Sequence, residues 1–539
     1  MGCLGIKRKG LSSDLLENLE TPIILDNNAQ SLLPSSSCSL KDNPNSYIPL
    51  LYLNTYSIST VIPSFSNFIT EYINTSPYDH YERIENIGSG ASSHIIKIKH
   101  KATGTLRALK SIDLSKQNYL QVNDIINEIN ITSSLTHPNI MKVYDYYIND
   151  NKSNIDIVCE YISDLDLFDL LKKQPNNCFN ETITLIVMKQ LFSAVKHCHD
   201  NAIVYRDIKL ENIMVSNIND FDIKLIDFGT ARRLNKNEMC SKKIGTPHYM
   251  APEIIKGEQY DYKCDLWSLG VLMYYLLYGT KPFQGETNDE LFANIIKGDV
   301  NVNSNNISIS NECKQLLMRL LEVDPYKRIN INDALHSEWI LQCNSNNNIN
   351  GFILEHNELI ILIKNNIETI SVQNKIQLAF LSYVINFDNV LDKNIYYQLF
   401  NYFDRDGDGL LNKNELLNGL TILYENNINK SQLICDKLFA IFTDINNTNS
   451  FINIDQFLIV CINRKDLITN KHIQNTFMCL DKYKQGKLTY DVIKTFLIKN
   501  TQQIVNDVIV DDIWKGCDME LKESEMVYAK FSQMIKGIM

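Results

Sequence analysis

No C-x-x-C pair occurs among the 13 cysteines of the chain. Their scatter argues against a disulfide framework and for reduced intracellular thiols. No apolar run reaches 18 residues, so no transmembrane helix is expected. The N-terminus also lacks the apolar stretch of a signal peptide. A basic excess is missing too. The net charge is −11, which argues against nucleic acid as a partner, because gripping phosphate backbones needs clustered lysine and arginine. What is present is ordinary for soluble globular protein: 44% hydrophobic and 21% charged residues over 539 positions, enough for two to four domains.

Residues 1–79 lack sustained periodicity, are rich in Ser, Asn and Pro, and read as a flexible arm. From Tyr81, strand-like runs (Ile95 to Ile98, Leu106 to Lys110, Ile155 to Cys159) precede helical stretches that continue to about Ile340. The Asn-rich segment Asn344 to Asn350 reads as a linker, and 352–387 as helix with Ile376, Phe380, Tyr383 and Val384 on one face. The last 150 residues hold a repeat. Asp404, Asp444, Asp481 and Asp518 each follow an apolar helical stretch, at intervals of 40, 37 and 37 residues, which implies duplicated supersecondary units.

Several short motifs carry phosphate chemistry. In Gly88-Ser89-Gly90-Ala91-Ser92-Ser93-His94-Ile95, the glycines let backbone approach phosphate oxygens, although alone such a turn is more often an ordinary hairpin. Ala108-Leu109-Lys110 begins 20 residues beyond Gly88 in a second strand, where Lys110 can reach phosphates. Glu128, in a helical stretch before His137-Pro138-Asn139-Ile140, is the candidate to hold Lys110; singly, both residues would read as solvated charges. Tyr205-Arg206-Asp207-Ile208-Lys209-Leu210-Glu211-Asn212 is the strongest element. Asp207 can take or orient a hydroxyl proton, Lys209 can neutralise transferring charge, and Asn212 can bind metal. Asp227-Phe228-Gly229 follows Asn212 by fifteen residues, with Asp227 as a second hard-oxygen ligand suited to Mg²⁺.

In this order and spacing, residues 81–340 resemble a eukaryotic protein kinase domain, with Ser93 at a glycine position and Tyr205 at a histidine position. The resemblance implies a two-lobed α+β fold that transfers the γ-phosphoryl of ATP, with Mg²⁺, to protein hydroxyls. It also implies a nucleotide-contacting set of Ile87, Gly88, Ser89, Gly90, Ser93, Ile95, Lys110, Glu128, Glu160 and Ile162, the last two through hinge backbone. Cys159 takes the position guarding the back of the cleft. Glu253, in Gly245-Thr246-Pro247-His248-Tyr249-Met250-Ala251-Pro252-Glu253, is expected to pair with Arg328, and Asp265 to brace the catalytic loop. Thr246 is expected to be structural, and Ser241 an exposed hydroxyl or a phosphate acceptor facing Arg206. Serine/threonine specificity is implied by Lys209.

Asp404-Arg405-Asp406-Gly407-Asp408-Gly409-Leu410-Leu411-Asn412-Lys413-Asn414-Glu415 fits a twelve-residue calcium loop throughout. Asp404, Asp406, Asp408, the Leu410 carbonyl, Asn412 and bidentate Glu415 would supply oxygen. Tyr396, Leu399, Phe400 and Phe403 before it, and Leu416, Leu420 and Leu423 after it, give the helices their apolar faces. The other three loops are poorer. The second, from Asp444 to Ile452, carries an extra residue and has Gln456 where Glu belongs. The third, from Asp481, has Val492 there, and the fourth, with Asp518 and Glu520, lacks the glycine. The whole order resembles the calcium-dependent protein kinases of plants and apicomplexan-type protists: an arm at 1–79, a kinase domain at 81–340, a junction at 341–390 and an all-α calmodulin-like EF-hand domain at 391–539. That family implies a junction, here Asn374 to Tyr383, which restrains the kinase and is recaptured by the hands when calcium binds.

Met1-Gly2-Cys3 resembles an acylation start, with Gly2 for myristate and Cys3 for palmitate, next to Lys7-Arg8-Lys9. The expectation is a cytoplasmic kinase held peripherally on membrane. Two other readings stay open: a calcium-responsive scaffold with a dead kinase fold, and an active kinase indifferent to calcium.

Overall fold

The computed structural model describes residues 70–537 apart from 74–75, 90–92, 102, 115–118, 149–153, 163–164, 220, 303–308, 346–348, 371–374, 388–392, 443–450, 482–484, 502–509, 512–513 and 515–524. Gly2, Cys3, Gly90, Asn374, the second loop from Asp444 to Ser450, Asp518 and Glu520 therefore lie outside the described residues. Among the described residues, no helix is long and apolar enough to cross a membrane.

Strands β1 (Thr70–Ile73), β2 (Tyr81–Ser89), β3 (Ser93–His100), β4 (Leu106–Asp113), β5 (Val143–Ile148) and β6 (Asn154–Glu160) form one sheet in the order β1-β5-β6-β4-β3-β2. β2 to β6 are antiparallel to their neighbours, whereas β1 lies parallel to β5. β1 and most of the helix Pro77–His80 fall within the stretch read as arm. The helix is set by local chemistry, since Ser76 and Asp79 form a capping box and Pro77 occupies the first turn. β1 pairs along what would otherwise be the exposed edge of β5. Helix α1 (Tyr119–Ser134) packs against β5 and carries Glu128.

Below the sheet, α2 (Glu181–Asp200), capped by Asn180, and α3 (Lys263–Tyr278) build the larger helical lobe. Fifteen of the sixteen α3 residues are buried, as expected of a helix apolar all round. It ends at Gly279, at φ +69°, where a Cβ would lie 2.5 Å from the Asn176 carbonyl oxygen. The two-residue strands β7 (Ile203–Val204) and β10 (Arg232–Arg233) pair, as do β8 (Ile213–Asn217) and β9 (Asp222–Leu225). These short strands set the catalytic loop and the Asp227 turn side by side.

The stretch 352–387 is not one helix. It belongs to α4 (Ile349–Glu355), α5 (Asn357–Thr369) and α6 (Lys375–Phe387). The chain leaves helical geometry at Ile370, whose ψ of 125° lets its side chain turn into the core. The preceding helix Glu338–Ser345 also uses part of the Asn-rich segment. From Phe352 onward the apolar residues share one core with the hands, so α4 to α6 form a single body with the EF-hand helices. That body adds α7 (Asn394–Phe403), α8 (Lys413–Leu423), α9 (Ile428–Phe442), α10 (Ile454–Cys461), α11 (Asn470–Leu480), α12 (Tyr490–Thr501) and α13 (Tyr528–Lys536). Its loops pair through two-residue strands: β11 (Leu410–Leu411) with β12 (Ile452–Asn453), and β13 (Lys487–Leu488) with β14 (Met526–Val527). Helix α6 packs on α10, α12 and α13, with Ile376, Phe380 and Val384 buried.

Candidate active site and calcium loop

Strand alternation puts Ala108 and Lys110 of β4 on the cleft side of the sheet, beside Ile95 of β3 and Ile157 and Cys159 of β6. With Ile87, Glu128, Met141, Val143, Glu160, Ile162, Met214, Ile226 and Phe228, these residues line a cleft of about 870 Å³, part of it open to solvent. Gly88 and Ser89 pair with Ile95 and His94 at the tip of the β2–β3 hairpin, and Ser93 opens β3. Lys110 Nζ lies 2.6 Å from Glu128 Oε1. Burial acts to lower the Lys110 pKa, but the Glu128 and Asp227 carboxylates outweigh it and hold the ammonium charged. The cleft reaches from the hinge past Cys159 to Ile129 and Thr132 of α1. Burial pushes the Cys159 thiol up to about 12.

The catalytic loop is fixed from beneath. Asp265 accepts the Tyr205 and Arg206 amides at 2.9 and 2.8 Å, and its Oδ2 lies 2.9 Å from His199 Nε2. Arg206 (φ +73°) and Asp227 (φ +61°) are both left-handed, a conformation such side chains adopt only when their surroundings impose it. Tyr205 donates its hydroxyl to the Ile226 carbonyl and meets the Phe228 ring edge-on at 5.1 Å. The phenol at this position thus ties the catalytic loop to the Asp227 turn. A Cβ on Gly229 would lie 3.2 Å from Asp227 Oδ1 and 3.4 Å from Glu128 Oε2, so this turn is seated against α1.

At the centre, Thr246 Oγ1 donates to Asp207 Oδ1 at 2.6 Å and accepts from Lys209 Nζ at 3.1 Å, while Lys209 Nζ lies 2.9 Å from Asp207 Oδ2. Thr246, expected to be structural, bonds both Asp207 and Lys209. The motif that holds it does not indicate these bonds, because its partners are 37 and 39 residues away in the chain. Asn212 Nδ2 donates to the Asp207 carbonyl and carboxylate at 3.0 and 3.3 Å. Arg328 and Glu253 form a buried two-pronged pair at 2.7 and 2.9 Å. Arg206 donates through Nε to the Thr230 carbonyl at 2.6 Å and faces Cys240 Sγ at 4.0 Å, while Ser241 is exposed. The same segment is held by a short ion pair between Arg232 and Glu238.

In the first loop, oxygens of Asp404, Asp406 and Asp408 lie within 4.8 Å of one another. Left-handed Gly407 and Gly409 turn their amides back onto Asp404, both at 2.8 Å. Asn412 caps α8, and Glu415 completes a capping box through the Asn412 amide at 3.1 Å while its other oxygen accepts Arg405 and Asp406 amides. Burial and then neighbouring carboxylates push Asp408 up to about 6 and raise Asp404 well above the usual range. Crowded hard oxygens of this kind fit a calcium ion. In the second hand Asn453 and Gln456 keep the capping box without the charge, the Gln456 oxygen accepting the Asn453 amide at 3.0 Å. In the third, Asp481 receives the Gln485 and Gly486 amides, and Val492 brings no ligand oxygen.

The chain matches the protein kinase domain family over residues 81–340, which defines it as a protein kinase. Calcium-dependent protein kinase 5 of Plasmodium falciparum (isolate 3D7) is 30% identical over 536 residues, which is 98% of this chain and 90% of the relative. Calcium-dependent protein kinase 5 of Plasmodium berghei (strain Anka) is 31% identical over 423 residues, 78% of this chain and 72% of the relative. Calcium-dependent protein kinase 4 of Plasmodium falciparum is 30% identical over 423 residues, 76% and 78% of the two chains. The chain belongs to the calcium-dependent protein kinase family.

Proposed function

We propose that this protein transfers the γ-phosphoryl of ATP to serine and threonine hydroxyls of protein substrates and that calcium at the first loop gates the transfer. The observation that carries the reading is the joint geometry of Lys110 on Glu128 at 2.6 Å and of Asp207, Thr246 and Lys209 within 3.1 Å of one another. In this reading Lys110 holds the nucleotide phosphates. Asn212 and Asp227 supply oxygen to Mg²⁺, which neutralises phosphate charge when bound. Asp207 accepts the hydrogen bond of the substrate hydroxyl and takes its proton as the oxygen bonds to the γ-phosphorus. The bond from that phosphorus to the β–γ bridging oxygen breaks, and ADP leaves. Lys209, beside Asp207, offsets charge on the moving group.

The calcium side of the reading rests on the complete donor set from Asp404 to Glu415. The junction side rests on α6 lying in the core of the hands, away from the cleft lining. Release of the kinase on calcium binding would correspond to that arrangement. Gly2 and Cys3 are proposed as acyl acceptors that keep the enzyme on membrane from the cytoplasmic side.

The test uses the full chain with Mg-ATP and peptides offering Ser, Thr or Tyr, in calcium and in chelator, for wild type, Asp207→Asn and Glu415→Gln. Calcium-stimulated labelling of Ser and Thr, lost in Asp207→Asn and no longer stimulated in Glu415→Gln, is expected. Equal labelling in all conditions by wild type and Glu415→Gln would leave an active kinase without calcium gating. A shift of Gly2→Ala protein from the membrane to the soluble fraction tests the anchor.

A further inference from the structure

The first loop is only partly open to solvent: Arg405, Lys413 and Asn414 are exposed, whereas Gly407 and Gly409 are buried. It sits against the larger kinase lobe, over one face of α2. Lys189, Ser193 and Lys196 recur on that face at i, i+4 and i+7. A Cβ on Gly407 would lie 3.3 Å from Lys189 Cε and 3.8 Å from Leu335 Cδ2. One on Gly409 would lie 2.4 Å from two atoms of the His137 ring, and that ring is fixed by Ser193 Oγ at 2.8 Å from Nε2. Lys196 Nζ lies 2.6 Å from Asp200 Oδ2 and 3.7 Å from Asp408 Oδ2. The Lys196 and Asp408 side chains are only 15% and 14% exposed, so solvent screens their interaction incompletely.

We propose that the first calcium site is shared between the two halves of the chain, with Lys196 of the kinase lobe as a charge that sets the affinity of the loop for calcium. The inference rests on reading Asp404 to Glu415 as a calcium site. Without the ion, the loop carboxylates repel one another and the Lys196 ammonium offsets part of that repulsion. A bound calcium brings two further positive charges to within a few ångströms of Lys196. The seated loop therefore binds calcium more weakly than the same loop away from α2. By reciprocity, calcium weakens the seat that Lys196 stabilises. The glycines have a second role here: Gly409 permits the loop turn and also the approach to His137. The body of the kinase thus tunes its own calcium threshold at a contact distinct from the cleft.

Calorimetric titration of the full chain with calcium tests this. With one complete loop among four, the first site dominates the signal. Lys196→Gln is expected to tighten binding by about three- to tenfold at low salt, the scale of one ammonium acting on a divalent ion through partly aqueous surroundings. The gain should shrink at about 0.5 M salt, which a merely structural effect would not do. Asp200→Asn, which removes the second partner of Lys196, is expected to weaken binding, and Lys196→Arg to leave it near wild type. Lys297→Gln, whose lysine pairs with Asp299, serves as the control for a generic loss of charge. Wild-type affinity in Lys196→Gln, or a gain in that variant independent of salt, overturns the proposal. If wild type and Glu415→Gln titrate alike, the calcium-site reading itself fails, and the inference with it.

Discussion

Thr246 bridges the Asp207 carboxylate and the Lys209 ammonium, so loss of its hydroxyl removes one restraint from each and leaves only their own ion pair and the Asn212 bonds. Thr246→Ala is expected to lower kcat by about 10- to 100-fold with little change in KM for ATP, because misplaced catalytic groups cost rate more than nucleotide binding. Thr246→Ser should recover most of the rate, and steady-state kinetics on one peptide decide it. Cys159 offers a second test at this scale. Its small side chain leaves the cleft continuous from the hinge to Thr132, so Cys159→Met is expected to block inhibitors that reach behind the hinge. Dose–response curves should show a loss of potency for a bulky inhibitor and none for a small adenine mimic; equal potency of the bulky one would refute the open passage. The grouping of Asp207, Lys209 and Asn212 was legible because one short stretch of chain carries all three. Thr246 and Lys196 were not, because each acts on groups that folding alone brings near.

The first turn of helix α8 holds a residue with two jobs. Glu415 closes the capping box on Asn412 and, in the proposed calcium site, would be the bidentate carboxylate of the loop. The second hand separates these jobs, since Gln456 closes the same kind of box on Asn453 with a neutral side chain. Glu415→Gln should therefore leave α8 folded while lowering calcium affinity by about 100-fold or more, as expected when the charged bidentate ligand is lost. Circular dichroism and calcium titration, taken together, check the two halves of that statement. Collapse of helicity would mean that the box needs the charge. At this scale the sequence conveyed element type better than element ends. The apolar face of α6 was clear from Ile376, Phe380 and Val384, whereas the break at Ile370 was hidden because isoleucine fits a helical pattern as well as a buried turn. β1 was hidden for a related reason: four residues show no useful period, and its pairing depends on β5, seventy-five residues later at each paired position.

Across the whole molecule, the body of the hands meets the smaller lobe through Tyr383, which packs on the apolar cluster of its sheet, and through a set of polar groups. Lys142 Nζ bonds Asp455 Oδ2 at 2.9 Å and Asn386 Oδ1 at 2.5 Å, and Arg107 donates to the Asn386 carbonyl at 2.9 Å. Lys142 and Asp455 are 313 residues apart, so no local pattern could have indicated this contact. Burial alone would raise the Asp455 pKa, but Lys142, with Lys393 and Asn386, outweighs it and keeps the carboxylate charged. Breaking a buried pair from one side strands the other charge, at a cost of about 3–5 kcal/mol. Asp455→Asn is therefore expected to loosen the hands from the kinase, seen as faster hydrogen exchange in β5 and α7. Lys393 shares this interface and acts in the opposite sense. Enclosure lowers its pKa to about 8, with Asp455 opposing and Arg107 and Lys142 adding to the shift. The folded protein thus binds this proton less readily than the unfolded chain, whose lysine titrates near 10.5. The penalty is fully present below pH 8 and fades as pH rises from there toward 10.5. The shift is worth about 3 kcal/mol at pH 7. Lys393→Met is accordingly expected to slow exchange in α7 at pH 7 relative to wild type, with the difference closing as pH approaches 10. An advantage for Lys393→Met that is equal at every pH, or no advantage, would show that the ammonium is well solvated at this interface.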